Sequence, residues 1–244
     1  MSKNSQYSSF FIEPEKREYF VKKIKKWGKA NFIDYPWRKE KNIYRLLLTE
    51  IFLQKTDSLK IKNLYPLIEQ IEKPSCLLDK EEVLDYIVSK TGLSYKKERI
   101  IRLSRQILED FNGKVPDNYK ELKRLMGVGD YIANAVLTFG FGKKAAVVDT
   151  NTIRIVESFF GYRSNKKRAR EDRRINGILL SILPPRKCGL FNYYLLDFGA
   201  LVCVSSKQFC HECIMNRKCS YFKCEEGLKL KDYRKNQKLI SKRI

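Results

Sequence analysis

Apolar residues recur along this chain at helical intervals almost from end to end. Phe20, Val21, Ile24 and Trp27 alternate with charged positions at three- and four-residue spacing, which predicts one amphipathic helix over 14–30. The turn Asp34-Tyr35-Pro36-Trp37-Arg38 separates it from IYRLLLTEIFLQKT (43–56), apolar on nearly every side and therefore predicted as a buried helix. Helical periodicity returns at 60–72, 80–89 and 95–111, with Asn112-Gly113 closing the last of these. Within 118–142 the pattern gives a helix ending at Met126, a Gly127-Val128-Gly129 turn, and a second helix from about Tyr131 with Ile132, Ala135, Val136 and Phe139 on one face. Runs such as 145–148 are too short to argue for a sheet, and no repeat or Pro/Gly/Ser-rich linker is present. The expected fold class is all-α, with the basic run 166–170 in a connection or on a solvated helix end and 226–244 as a basic tail.

A length of 244 residues suffices for one large or two small domains with hydrophobic cores. Lys and Arg number 50 against 28 acids, a formal charge of +22. That surplus favours a polyanionic partner, nucleic acid first, bound with an affinity that falls steeply with salt. The N-terminal residues lack the basic start and apolar core of a signal peptide, and no apolar run approaches the ~20 residues that span a bilayer. The expectation is a chain without a membrane role, its seven cysteines reduced as in the cytosol. Cys76 and Cys188 stand alone and read as buried structural thiols.

The other thiols form the most specific motif. Cys203, Cys210, Cys213 and Cys219 are spaced C-x6-C-x2-C-x5-C within 17 residues. Soft thiolates this close together suit a 4Fe–4S cluster or a zinc ion. Zinc ribbons usually offer two C-x2-C pairs, whereas this motif has one flanked by long spacers, so the cluster is the favoured reading and zinc stays open. Cys224, five residues on, ranks below these four as a ligand.

Gly127 and Gly129 permit positive φ and close approach, and N–H groups at such a turn, feeding a helix, can hold a phosphate oxygen. Asp130 could cap that helix, but its charge does not help a phosphate. Glu50 interrupts an apolar helix, and a buried carboxylate is costly unless paired or used.

Together, Pro36-Trp37-Arg38, the LLLTEIFLQKT helix, Thr91-Gly92-Leu93-Ser94, Leu125-Met126-Gly127-Val128-Gly129, Val148-Asp149-Thr150-Asn151, Leu196-Asp197-Phe198-Gly199-Ala200 and the four-cysteine loop carry a resemblance. In their order they resemble the helix–hairpin–helix DNA glycosylase superfamily, in its endonuclease III/MutY branch and nearest its thymine–DNA mismatch glycosylases, from about Tyr35 to Cys224. One departure is Met126, where the hairpin pattern usually has proline.

The resemblance implies a two-lobed fold. A six-helix barrel, roughly 38–148, would hold the hairpin, and 12–37 with 149–225 would form a helical iron–sulfur lobe. Double-stranded DNA carrying a mispaired base would lie in the groove between them, its target nucleotide swung out of the stack. By the same resemblance Asp149 is the catalytic carboxylate that steadies an oxocarbenium-like sugar, and Glu50 contacts the base edge or orients water. Gln54 and Leu93 fill the gap left by the flipped nucleotide, Lys55 adds charge beside the phosphates, and Gly127, Val128 and Gly129 grip the backbone. Bifunctional relatives place a lysine at position 131; Tyr131 cannot form an imine, which implies hydrolysis without strand cleavage.

Tyr131 also follows the thymine-mismatch pattern rather than the serine usual in adenine glycosylases, and only 25 residues follow Cys219. Removal of thymine or uracil opposite guanine is therefore expected, by a monomer working on the nucleoid in the cytoplasm. Adenine removal from mispairs and a non-catalytic iron–sulfur DNA-binding module are the alternatives.

Overall fold

A computed structural model describes residues 12–92, 94–206 and 209–224, and every regular element among them is a helix. The first is α1 (Pro14–Ala30), coincident with the predicted amphipathic stretch. Pro14 starts it without sacrificing a helical hydrogen bond, and Glu15 and Lys29 complement the helix dipole at its two ends.

The chain divides into two compact units, one made of Ile33–Val147 and Pro184–Leu190, the other of the N-terminal stretch through Phe32, Val148–Leu183 and the chain from Phe191 onward. The first unit contains α2 (Ile43–Leu53), α3 (Ser58–Ile68), α4 (Pro74–Asp79), α5 (Glu81–Thr91), α6 (Lys97–Phe111), α7 (Tyr119–Leu122) and α8 (Asp130–Ala135). Asn42, Asp57 and Asn118 accept backbone N–H groups at the starts of α2, α3 and α7, the usual remedy for orphaned donors. Leu47, Phe52, Ile61, Ile68, Leu84, Ile107 and Ile132 are wholly buried in one core.

Several boundaries differ from the periodic reading, each for a local reason. Helix α2 stops at Leu53 rather than continuing to 56, because Gln54 is extended and Lys55 adopts a left-handed φ of 64°. Helix α3 begins at Ser58, where Asp57 caps it, and α4 is an additional short helix opened by Pro74. Helix α7 ends at Leu122, and successive turns carry the chain from there to Val128. Helix α8 widens into a π-turn over Val136–Gly140.

The second unit contains α1, α9 (Thr150–Ile155), a π-turn over Val156–Phe160, α10 (Arg173–Ile182) and most of α11 (Cys188–Leu201). Its core is aromatic: Phe20 lies 4.8 Å from the Phe159 ring centroid and 5.1 Å from that of Phe160, and Trp27 meets Phe198 edge-on at 5.2 Å. Helices α1 and α11 approach closely at Gly28, where a Cβ would fall 2.1 Å from Cγ of Tyr194.

That contact sets the sign of a substitution. In an open helix Gly→Ala gains up to ~1 kcal/mol. At position 28 the Tyr194 ring must move, and overpacking costs about 1–3 kcal/mol. Gly28→Ala is therefore expected to lower the unfolding midpoint in denaturant titration, whereas a rise would contradict the packing described.

Candidate active site

Glu50 lies on the inward face of α2 and is only 2% exposed. Its carboxylate is hydrogen-bonded by Tyr131, from the first turn of α8, and faces the positive charge of Arg38. Arg38 is aimed by the turn over Pro36–Lys39: one guanidinium nitrogen, Nη1, donates to the Ile33 carbonyl at 2.8 Å, and the group sits over the Tyr35 ring. Tyr35 in turn stacks on buried Trp37 with centroids 4.5 Å apart. Burial pushes the Glu50 carboxyl up to about 7, an effect that the Tyr131 hydrogen bond and Arg38 only partly offset. Its Oε2 has no hydrogen-bond partner among the described residues. A carboxyl so held gains or loses a proton near neutrality, as acid–base chemistry requires.

In the hairpin, Gly127 has φ +80°, and a Cβ there would lie 2.7 Å from Cδ of Arg99, whose side chain crosses the turn. Glycine is thus needed for both conformation and space. Val128 is buried, its N–H bonded to the Leu125 carbonyl at 3.1 Å, while Gly129 caps α8 with open space beside it. At Met126, where proline is usual in the resembling pattern, the N–H that proline would lack donates to Oε1 of Gln106 at 2.9 Å. The acid beside the turn is offset: Lys123 pairs with Asp130 at 2.6 Å, and the Tyr119 hydroxyl donates to it at 2.7 Å. Gln54 and Lys55 occupy the turn after α2, one helical turn beyond Glu50. Leu93 lies outside the described residues.

In the second unit Asp149 caps α9. Its Oδ1 accepts from the Thr152 N–H at 2.7 Å, and its own N–H donates to Oγ1 of Thr152 at 2.9 Å, a reciprocal capping box. Burial raises its carboxyl above the ordinary aspartate value, opposed by the Thr152 and Asn151 hydrogen bonds and by Arg154. Arg154 reaches from α9 to the carbonyls of Gly199 and Cys203 and to Oδ1 of Asn151. Gly199 makes this approach possible, since a Cβ there would stand 2.6 Å from that of Asn151.

Cys203, Cys210, Cys213 and Cys219 line one pocket, whose walls include Phe20, Ile155, Phe159, Phe198 and Val202. None is in a disulfide; Cys224 is exposed, Cys188 buried and Cys76 half-buried. Among the described residues no three ligating side chains are gathered tightly enough to hold a single ion. Burial pushes the Cys203 thiol up to about 11 and raises that of Cys213, with the neighbouring cysteines adding to both shifts. Four thiolates can share such a pocket only around a group that brings positive charge. Four soft sulfur donors lining one largely apolar pocket suit an iron–sulfur cluster or a zinc ion.

Residues 50–178 match the family described as "HhH-GPD superfamily base excision DNA repair protein". The chain belongs to this superfamily. It is 35% identical over 217 residues to the thymine/uracil-DNA glycosylase of Methanothermobacter thermautotrophicus, covering 86% of this chain and 96% of that one. It is 30% identical to the thymine/uracil-DNA glycosylase of Pyrobaculum aerophilum over 86% of this chain and 93% of that protein. Among solved structures, a thermostable thymine-DNA glycosylase superposes with a TM-score of 0.80 at 32% identity, covering 86% of this chain and 97% of that one.

In this member of the superfamily, the structure joins Glu50 to Tyr131 within the first unit and seats Asp149 and the four cysteines in the second. Sequence reasoning missed Arg38 as the counter-charge of Glu50, Arg99 across the hairpin, Arg154, and Lys96. Arg38 carried a signal in its Pro-Trp-Arg turn; Lys96 and Arg99 look like solvated charges in a basic segment.

The Glu50 environment dictates a pH dependence of stability. Because its folded-state value is about 7 against an ordinary 4.5, the folded protein retains a proton that the unfolded chain releases between these values. The contribution is full below the lower value, declines as pH rises, and is lost above the upper one, a change on the order of 3 kcal/mol. Glu50→Gln removes it, so denaturant unfolding should show the variant gaining on the wild type from pH 4.5 to pH 8. Parallel profiles would contradict a desolvated Glu50.

Proposed function

We propose that the chain is a monofunctional DNA glycosylase of base excision repair that hydrolyses the N-glycosidic bond of thymine or uracil mispaired with guanine. The observation that carries this reading is the commitment of the Tyr131 hydroxyl to buried Glu50. A phenol so placed offers no amine for an imine, and the carboxyl beside it can exchange a proton near neutral pH. The named activity of the relatives at 30–35% identity supports the choice of base.

As C1′ loses the base it gains positive charge, which a nearby carboxylate stabilises far better in a dry site than in water. Asp149 takes that role: the capping box fixes it, and its partial burial limits reorganisation when charge appears. Glu50 then holds a hydrogen bond to the pyrimidine edge or orients the attacking water; water's OH replaces the base at C1′ and its other proton goes to the departing pyrimidine. The turn at Gly127, Val128 and Gly129 holds a backbone phosphate without reading sequence. Gln54, Lys55 and Leu93 occupy and flank the gap left by the extruded nucleotide.

Cys203, Cys210, Cys213 and Cys219 would hold a 4Fe–4S cluster. When bound it would supply the positive charge that lets four half-buried thiolates coexist, and so fasten the loop after α11 to the rest of its unit.

The reading is tested with labelled duplexes carrying G·T, G·U or 8-oxoguanine·A, scored before and after alkali. Strand breaks on the first two after alkali alone are expected; release of adenine only, binding without abasic sites, or breaks before alkali would each overturn part of it. Asp149→Asn keeps a good helix cap and should fold and bind DNA. Its single-turnover rate should fall by roughly 10²-fold or more, and an undiminished rate would remove the assigned role. Cys210→Ser should lose visible absorbance and bound iron; retention of both would exclude that residue as a ligand.

A further inference from the structure

Lys96 is buried, with 3% of its surface exposed, whereas most other lysines among the described residues are exposed. Its ammonium donates to the Ile51 carbonyl at 2.8 Å, the Gln54 carbonyl at 3.2 Å and the Gln54 side-chain oxygen Oε1 at 3.4 Å. Lys55 and Arg99 are its charged neighbours, so its surroundings repel rather than balance it. Burial, with those two cations, pushes it down to about 8. An apolar residue would fill this place without that penalty, and the contacts indicate what the charge returns. Helix α2 ends without a glycine: Gln54 is extended and Lys55 takes the left-handed turn itself. The terminal carbonyls of α2 therefore need a donor, and a cation at a helix C-terminus also complements its dipole.

The contact with Oε1 adds something capping alone does not. An ammonium can only donate, so it fixes which end of the Gln54 amide faces inward. The amide oxygen is turned to Lys96, and the NH2 group, with two donors, is the end left for a ligand.

We infer that Lys96 is a positioning residue that locks the end of α2 and the orientation of the Gln54 amide, so that Gln54 offers donors to the base left unpaired when the target nucleotide is extruded. This rests on the reading of Gln54 as a residue that enters the duplex. The experiment compares single-turnover base release from uracil opposite guanine with uracil opposite an abasic site, which presents no orphaned base. Both substrates are measured on one preparation, so the ratio is independent of the folded fraction.

Gln54→Ala should lower the ratio by about tenfold, the worth of one hydrogen bond to a buried partner. Lys96→Met should lower it by a comparable factor, and the double variant should fall no further, since the two act as one unit. Lys96→Gln, which keeps a donor, should show a smaller loss and serves in place of Lys96→Met if that variant does not fold. Equal slowing on both substrates by the Lys96 variants, or multiplicative effects in the double variant, would make Lys96 a structural cap only and overturn the inference. An unchanged ratio in Gln54→Ala alone would overturn it too, and would identify the Gln54 reading as the part that failed.

Discussion

A carboxyl group held out of water is the constraint around which the first unit is organised. Glu50 sits on a strongly apolar helix, flanked by buried Leu46, Leu47, Leu48, Ile51 and Phe52, and removing an ionised group from water costs several kcal/mol. The protein meets that cost with groups from two other segments, Arg38 from the turn over 36–39 and Tyr131 from the start of α8. Neither compensates fully, and the proton affinity stays raised. A leucine or methionine would make an easier core, so a half-compensated acid is better explained by chemistry than by stability.

A carboxyl with raised proton affinity also appears in the second unit, at Asp149. As an N-cap it is ordinary; as a half-buried carboxylate whose proton affinity is raised it is not. The capping box restrains it in place, as the electrostatic role proposed for it would require. The hairpin is handled similarly. Asp130, unhelpful to a phosphate, is offset by Lys123 and Tyr119, and the missing proline at 126 is replaced by a hydrogen bond that proline could not make.

Much of this was legible in the chain. The helical class, the bounds of α1, the glycine turn and the four-thiol spacing all follow from periodicity, φ requirements and ligand chemistry, which act over a few residues. Glu50 could be singled out because its neighbours are Leu46, Leu47, Leu48, Ile51 and Phe52. What sequence could not supply were contacts made at a distance. The end of α2, the start of α3 and the extra helix α4 turn on local residues, Lys55, Asp57 and Pro74, that apolar periodicity does not weigh, whereas Lys96 sits among exposed charges from which nothing local distinguishes it. Its meaning appears only when the carbonyls of Ile51 and Gln54 are seen around it.

The central claim is that Glu50 is a desolvated carboxyl poised near neutrality by incomplete compensation. Titration of the Glu50 side-chain carbon by NMR in selectively labelled protein tests it most directly, with Glu50→Gln to assign the signal. The account predicts a midpoint near 7. A midpoint at the ordinary value of about 4.5 would mean that the carboxylate is solvated or fully paired, and the account would fail at its foundation.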